Sequence, residues 1–270
     1  MRQSQPVRFV ARAVAVLVAA AGVSACDVMV NTVHGGRAQA QQTWTRTYTL
    51  SGVDPAVEIV NVSGTFDVEA VNGNSLEIRA VLSARGATEE DAQKILAKVE
   101  MAEQADASRV RVQAKYPREL GRHGIEVNYT IRAPRSAKVA IENVNGQLRL
   151  SGAFAGLKVE TTNGSVNGEG LGNTVVATTT NGEIKVRMAS LGGDGMTLET
   201  TNGTIDVRLP ADAKATLSAR CVNGGIKVTD LPFEKSGEGS RRKLDGAING
   251  GGAALKLETV NGSIRVGGAT

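Results

Sequence analysis

A short phrase recurs six times along the chain and constrains its fold more than any other feature. In its clearest copy, from Met196 to Val207, apolar and polar residues alternate, an Asn-Gly pair follows, and the alternation resumes. Because successive side chains of a strand point to opposite faces, this pattern predicts a half-buried strand on each side of the pair. Asn-Gly is expected to supply the positive φ angles of a tight turn. The copies are centred on Asn145, Asn163, Asn181, Asn202, Asn223 and Asn261.

Two architectures fit a strand–turn–strand phrase. Asn-Gly between alternating runs is a strong hairpin signal, which would give an antiparallel meander. In a β-solenoid, by contrast, each phrase is one corner of a coil and the copies stack in parallel register. The asparagines lie 18, 18, 21, 21 and 38 residues apart, and the last gap is close to two further coils. A regular period favours the solenoid, so we predict an all-β solenoid with coils of about 18–21 residues.

Parallel stacking also predicts a structural turn ladder. The six asparagines would lie about 4.8 Å apart in one column, where their amides can bond up and down the stack. A second column, two residues earlier, would hold Thr161, Thr179, Thr200, Cys221 and Thr259. Aromatic residues are only 3% of the chain, which suits a stack of small β-branched residues better than a globular core built on large aromatics.

The N-terminus is typical of an exported bacterial lipoprotein. Arg2, Arg8 and Arg12 precede an apolar stretch that is too short to serve as a membrane-spanning anchor. The stretch ends in Val23-Ser-Ala-Cys26, which resembles the lipobox of bacterial lipoproteins. By that resemblance residues 1–25 are a signal peptide and Cys26 is the lipid attachment site, with the protein held on a membrane of the cell envelope. The alternative, ordinary cleavage near Ala38-Gln-Ala40, would lie too far beyond the apolar stretch.

The remaining chain divides by pattern. Residues 26–43 lack a period and are expected to form a tether. A β-solenoid domain should then occupy 44–268, beginning with a strand at Trp44. Within it, residues 88–102 predict an amphipathic helix that covers an end or flank of the sheet, with Thr88 as N-cap. Residues 231–243 are expected to be a polar insertion.

Few residues offer catalytic or metal-binding chemistry. His34 falls in the tether and His123 in a loop, so no His pair is expected to bind a metal or form a triad. Cys221 replaces Thr in an inward column and is expected to be a buried structural thiol. No phosphate-binding loop, acidic Ca²⁺ repeat or basic patch with interleaved aromatics is present. The sequence therefore predicts no cofactor, no metal and no nucleic-acid partner.

Charged residues recur on the outward positions of the phrase. Three residues before the asparagine, Glu recurs at Glu142, Glu160, Glu199 and Glu258. Four residues after it, a candidate binding stripe consists of Arg149, Lys185, Lys227 and Arg265. These columns are either a solvated face that blocks unwanted pairing or a surface that binds an envelope polysaccharide or envelope protein.

The ordered set of features resembles a bacterial family. The phrase, the helix after the first turns and the closing stretch from Asn249 to Val266 together are similar to the "putative adhesin" domain family. This is a domain of unknown function related to toast-rack and autotransporter-head solenoids. The likeness covers about Trp44 to Val266. It implies a right-handed β-solenoid (single-stranded β-helix) in the cell envelope, with some relatives linked to envelope-stress sensing and no agreed catalytic residues.

These observations favour a non-enzymatic adhesion, scaffold or envelope-stress-sensing module. The alternative is a polysaccharide-active enzyme of the parallel β-helix type, which would need clustered Asp, Lys and Arg on one outward wall. Asp206 is the main outward aspartate available. A regulatory partner of an anti-sigma or two-component system is a third hypothesis, suggested only by the resemblance.

Overall fold

The structure is a computed structural model and describes residues 28–33, 37–116, 124–192, 194–238 and 240–269. The predicted signal peptide, the lipid attachment site Cys26, and both His34 and His123 lie outside these residues. Among these described residues one helix, α1 (Glu89–Leu96), interrupts an otherwise all-β fold. The strands are, in chain order, β1 (Val28–Val33), β2 (Arg37–Thr49), β3 (Ala56–Val60), β4 (Phe66–Val71), β5 (Ser75–Gly86), β6 (Glu100–Ala105), β7 (Arg109–Lys115), β8 (Ile125–Pro134), β9 (Lys138–Asn145), β10 (Leu148–Ser151), β11 (Gly156–Asn163), β12 (Val166–Leu171), β13 (Thr174–Asn181), β14 (Ile184–Met188), β15 (Met196–Asn202), β16 (Ile205–Leu209), β17 (Ala215–Asn223), β18 (Ile226–Thr229), β19 (Phe233–Lys235), β20 (Lys243–Ile248), β21 (Ala253–Asn261) and β22 (Ile264–Gly268).

Each phrase contributes one strand to each of two sheets, and Asn-Gly is the corner between them. Sheet 1 has the order β1-β2-β5-β8-β4-β10-β12-β14-β16-β22-β18, and sheet 2 the order β19-β20-β17-β21-β15-β13-β11-β9-β3-β7-β6. Neighbouring copies pair in parallel and at the same phase, so that Asn163 lies beside both Asn145 and Asn181. The fold is therefore a β-solenoid, because the strands flanking one corner pair with other copies and not with each other.

The coils do not stack in the order of the chain. The last phrase, β21 and β22, inserts between β15–β16 and β17–β18 in both sheets. At the other end β7 and β8 form a coil beneath β3 and β4, although they follow them in sequence. The gap of 38 residues therefore holds no additional regular coil. After β18 the chain forms the antiparallel strands β19 and β20 beyond β17, and it then returns to insert β21 and β22.

The core lies between the two sheets, on the inward positions that the alternation predicts. Leu157, Val159 and Val166 are at most 3% exposed, and the equivalent residues of the other copies are buried with them. The few large aromatics gather at the N-terminal end, where the rings of Phe66 and Tyr129 stack with their centroids 4.8 Å apart. These two rings are buried on adjacent parallel strands, β4 and β8.

Both ends of the solenoid depart from the regular pattern, and three expectations need correction. The segment expected to be a tether contains β1 and the start of β2. These two strands pair with each other, and β2 also pairs with β5. The helix is shorter than residues 88–102, since residues from Glu100 onward form an antiparallel edge strand with β7. The expected polar insertion at 231–243 contains β19, and the antiparallel strand β20 begins at its end and extends sheet 2 beyond β17. The secondary structure of these three segments depends on pairing with distant strands, which local composition does not reveal.

The helix begins as its sequence predicts. The Thr88 side chain accepts a hydrogen bond from the Asp91 amide, and three acidic residues occupy the first turn. Ala92 and Leu96 are buried against β5 and β2. The helix thus covers the N-terminal end of the core under the strands that extend sheet 1.

Candidate functional site

The corner of the solenoid is a continuous ladder of asparagine amides. Asn163, Asn181 and Asn202 each donate from Nδ2 to the Oδ1 of the previous copy, over 2.9, 2.8 and 2.7 Å. Asn261 continues the ladder on Asn202, and Asn223 continues it on Asn261, each over 2.7 Å. Every inner amide uses one N–H and one oxygen lone pair along the column, which leaves a second N–H and a second lone pair free of the ladder.

Close approach between coils explains the glycine beside each asparagine. A Cβ on Gly182 would lie 2.0 Å from the carbonyl oxygen of Gly164, and a Cβ on Gly203 would lie 1.8 Å from that of Gly182. These two glycines do not adopt left-handed φ angles, in contrast to the turn geometry expected from Asn-Gly. Glycine is required at these corners by sterics between stacked backbones and not by the φ angle.

A hydroxyl column reinforces the ladder from inside. Thr179, Thr200 and Thr259 each donate a hydrogen bond to the glycine carbonyl of a neighbouring corner, over 3.0 to 3.1 Å. Cys221 occupies the same position in the outermost coil, and its sulfur lies 3.8 Å from the Arg241 carbonyl oxygen. Burial raises the pKa of the Cys221 thiol, so the thiolate that a nucleophile needs is disfavoured.

The outward glutamates do lie beside one another, and lysines two positions earlier compensate them. Glu142 neighbours Glu160, and Glu199 neighbours Glu258. Lys256 bridges the second pair, with Nζ 2.8 Å from Glu199 and 3.5 Å from Glu258. The hydrogen bond with Glu199 is the largest of the effects that raise the pKa of Lys256. This column is therefore neutralised within the chain for much of its length.

The residues of the candidate binding stripe share one outward column of sheet 1, but they are not contiguous. Asn167 lies between Arg149 and Lys185, and Asp206 lies between Lys185 and Arg265. Lys185 pairs with Glu183 at 2.9 Å, and Arg149 donates to the Gln147 side chain. The remaining two members, Arg265 and Lys227, are direct neighbours on the last two strands.

A shallow depression of about 340 Å³ on the outer face of sheet 2 offers no convergent catalytic group. Small residues such as Ala140 and Gly156 form its floor. The cations at its rim are already paired, since Lys138 contacts Asp54 at 3.0 Å and Lys158 contacts Glu160 at 2.7 Å. Asp206, the aspartate that an enzyme would need, is held by Arg208 at 3.3 Å.

One charged cluster was not predicted from the sequence. Glu58 of β3 binds Arg109 at 3.1 Å and also binds Arg111, both from β7. Burial alone would raise the pKa of Glu58, but the hydrogen bonds from the two guanidinium groups outweigh burial and hold the pKa below its ordinary value. No repeat marks this cluster, because β3 and β7 lie outside the six Asn-Gly phrases and Glu58 is 51 and 53 residues from its two partners in the sequence.

The described residues form neither a metal site nor a membrane-spanning helix. They contain no cluster of three or more His, Cys, Asp or Glu side chains that could hold a metal ion. Their single helix is too short and too polar to cross a membrane.

The two sheets of largely parallel strands and the corner ladder define the class of the protein as an all-β solenoid. Residues 97–267 match the family described as Toastrack DUF4097. The match spans more than half of the chain, which therefore belongs to this adhesin-like domain family of unknown function.

Solved structures with a similar chain path include three bacterial proteins. One is a "putative cell adhesion protein" from Clostridium sporogenes, 12% identical over 84% of this chain and 100% of that chain, with a TM-score of 0.46. A "putative adhesin" from Bacteroides fragilis is 11% identical over 84% and 97%, with a TM-score of 0.36. Another from Parabacteroides merdae is 12% identical over 84% and 96%, with a TM-score of 0.31. No curated protein matches the chain.

Proposed function

We propose that this protein is a non-enzymatic lipoprotein of the bacterial cell envelope, acting as an adhesion, scaffold or stress-sensing module. The observation that carries the proposal is the corner ladder, which locks successive coils into one rigid array with regularly repeated outward residues. An array of this kind suits extended, repetitive binding surfaces. It does not suit catalysis, which needs a few groups converging on one point.

The lipid anchor rests on the sequence before the solenoid. Cys26 follows an apolar stretch and two small residues, and β1 begins two residues after it. Acylation there would attach the molecule by the N-terminal end of sheet 1. Metabolic labelling with a fatty acid tests this, with Cys26→Ser as the matched variant. Label that persists in the variant would refute attachment at Cys26.

The candidate ligand surface is the outward column of sheet 1 that contains Arg149, Lys185, Lys227 and Arg265. The ligand would be an envelope polysaccharide or an envelope protein, and no nucleic acid. Whole-cell crosslinking followed by partner identification tests this function. Partners should be captured by the native chain and lost on charge reversal at Lys185, Lys227 and Arg265. Equal capture by the native and reversed chains in low salt would refute the surface.

We also infer a right-handed coil. Crossover connections between parallel strands of one sheet are right-handed in about 98% of cases. Each phrase of this chain connects parallel strands of the same sheet through a strand of the other sheet. Experimental coordinates that show the opposite hand would refute this assignment.

A further inference from the structure

Five cations that form no ion pair with the described residues lie at the C-terminal corner of the solenoid. We define the C-terminal corner by five exposed cations and two valines: Arg220, Lys227, Arg241, Arg242, Arg265, Val222 and Val260. None of these five cations has a carboxylate within ion-pair distance in the described chain. In the middle of the solenoid, by contrast, outward cations such as Lys158, Lys185 and Arg187 are paired at 2.7 to 3.1 Å.

The strand order brings the five cations together. Arg265 lies directly beside Lys227 on the last two strands of sheet 1. The hairpin loop before β20 folds over the same corner, because the Arg241 carbonyl accepts from the Ile226 amide at 3.2 Å and the Arg242 carbonyl accepts from the Cys221 amide at 2.9 Å. Arg220 lies on β17, between Lys243 of β20 and Glu258 of β21.

The carboxylates near the C-terminal corner do not neutralise its positive charge. Asp245 is occupied by Ser218 at 2.9 Å and Lys243 at 3.4 Å, and Lys256 contacts Glu258. Glu234 lies on β19, which pairs with β20 near Ile248 and thus at the opposite end of β17 from Asn223. Glu238 is the carboxylate within the hairpin loop itself.

Two further carboxylates lie beside cations of the C-terminal corner in register, Glu258 next to Arg220 and Asp206 next to Arg265, and each already contacts another cation, at 3.5 and 3.3 Å. Asp230 follows the end of β18 and, like Glu238, has no ion pair among the described residues. The five cations therefore outnumber the two nearby carboxylates that have no cation partner.

The same corner carries an exposed aliphatic surface. Val222 is 54% exposed and Val260 is 40% exposed, and they are two of the three large hydrophobic side chains that are exposed among the described residues. They occupy equivalent positions on adjacent strands, one residue before the corner asparagine. Exposed aliphatic side chains framed by cations are the combination that peripheral proteins use at an anionic bilayer, whereas a soluble polyanion would need the cations alone.

We propose that the C-terminal corner binds anionic phospholipid headgroups at a membrane surface. The arginines and Lys227 contact the phosphates, and the two valines enter the headgroup region. Sheet 1 has eleven strands, with β1 at one edge and β18 at the other. At about 4.8 Å per strand, the corner stands roughly 50 Å from β1. A chain held by its N-terminus would thus present this contact at its far end.

This inference assigns a partner beyond the proposed function and does not depend on acylation of Cys26. The test uses the full chain carrying Cys26→Ser and sedimentation with phosphatidylcholine vesicles, with and without phosphatidylglycerol. Binding should require phosphatidylglycerol and weaken as salt rises. The variant Arg220→Gln, Arg241→Gln, Arg242→Gln should reduce partitioning by roughly 100-fold, since each cation near an anionic surface contributes about fivefold.

The matched control removes three other exposed cations that lack ion pairs, by Arg79→Gln, Arg85→Gln and Lys98→Gln. It keeps the same net charge and the same N-terminus as the test variant. Partitioning should stay near that of the parent chain. Equal losses in the two triple variants would overturn the proposal, because they would show a net-charge effect without a site.

A second pair of variants separates a lipid from a soluble phosphate polymer. Val222→Ser with Val260→Ser should weaken the binding that survives at high salt, whereas Val53→Ser, at a side chain that is 95% exposed elsewhere, should not. Full affinity in the valine variant together with complete competition by inorganic polyphosphate would overturn the lipid assignment. Circular dichroism of each variant verifies that the fold is intact.

Discussion

At the scale of single residues, the corner ladder shows how one side chain can serve two neighbours at once. Each inner asparagine donates to one coil and accepts from the next, which a side chain with only a donor or only an acceptor cannot do. The ladder lies at the solvent-exposed corner, so its net worth per bond is modest. Its effect comes from repetition, because every coil boundary along the column carries the same bond.

Replacement of one rung should therefore have a measurable but limited effect. Asn181→Ala removes two side-chain hydrogen bonds and should lower the free energy of unfolding by about 1–2 kcal/mol in urea denaturation. Asn167→Ala, on an outward position of β12 outside the ladder, should change it by less than about 0.5 kcal/mol. Equal effects of the two changes would contradict a stabilising ladder.

Replacing the same asparagine by aspartate should make the free energy of unfolding depend on pH. In Asn181→Asp the ionised side chain cannot donate to the Asn163 oxygen, which lies 2.8 Å from the native amide nitrogen. The folded state therefore raises the pKa of the new carboxyl above its unfolded value of about 3.9. Stability relative to Asn181→Ala should be lower at pH 7 and should recover as the pH falls through the raised pKa. A pH-independent difference in unfolding free energy would contradict this reasoning.

The glycine of the corner should be more sensitive to substitution than the asparagine beside it. Gly182→Ala would place a Cβ 2.0 Å from the Gly164 carbonyl oxygen, so the stacked backbones must separate. Thermal unfolding should show a loss of about 3 kcal/mol. Gly225→Ala is the matched control, because a Cβ there meets nothing within 4 Å. A neutral Gly182→Ala would show that the coils can separate freely.

At the scale of elements, the first two coils are joined by charge as well as by the strand ladder. Glu58 of β3 receives hydrogen bonds from two arginines of β7, which is its neighbouring strand in sheet 2. The irregular elements sit at the same end, where α1 covers the core with Ala92 and Leu96. The end coils thus rely on individual contacts, whereas the central coils rely on the repeat.

Glu58→Gln should lower stability by about 1 kcal/mol at pH 7, since charge-assisted hydrogen bonds are replaced by weaker ones. The folded pKa of Glu58 lies below its ordinary value of 4.5, so its contribution is present above that value and is lost as the pH falls through the folded pKa. The difference between native chain and variant should vanish on acidification. Glu160→Gln, on an exposed pair, is the control and should be near neutral.

At the scale of the whole molecule, insertion of the last phrase ties the C-terminus into the body of the solenoid. β21 and β22 are hydrogen-bonded on both sides, to β15–β16 and to β17–β18. The last phrase therefore connects the outermost coil, β17–β18, to the rest of the solenoid. Without β21 and β22, the outermost coil would have no contact with β15–β16.

A chain that ends at Gly252 should lose more than its last phrase. Without β21 and β22 the outermost coil has no parallel neighbour, and β15 and β16 become edge strands. Hydrogen exchange should show lost protection throughout β15–β18, together with a lower thermal midpoint. A chain that ends at Gly268 is the control and should behave as the native chain. Retained protection in β15–β16 of the shorter chain would contradict the inserted order.

The local sequence pattern was sufficient to predict the structure of a single coil. Alternation around Asn-Gly identified the strands, and the recurrence of Asn163, Asn181 and Asn202 at a regular spacing selected a parallel stack over a meander, because like residues stack only at a fixed phase. Local signals also located the N-cap at Thr88, since capping depends on neighbouring residues alone. The outward glutamate columns and the members of the candidate binding stripe followed from the same alternation.

Tertiary structure alone decided which coil lies beside which. Asn261 stacks between Asn202 and Asn223, and β7 stacks beneath β3, although a repeat of nearly identical phrases is compatible with either order. Pairing between such strands has similar local energy in any arrangement, so the caps at the two ends and the connections between coils choose the order. The C-terminal corner depends on that choice, because the hairpin loop before β20 can fold over β17 and β18 only when they form the outermost coil. The Glu58 cluster also forms only in the folded chain, because its two arginines are 51 and 53 residues away in the sequence.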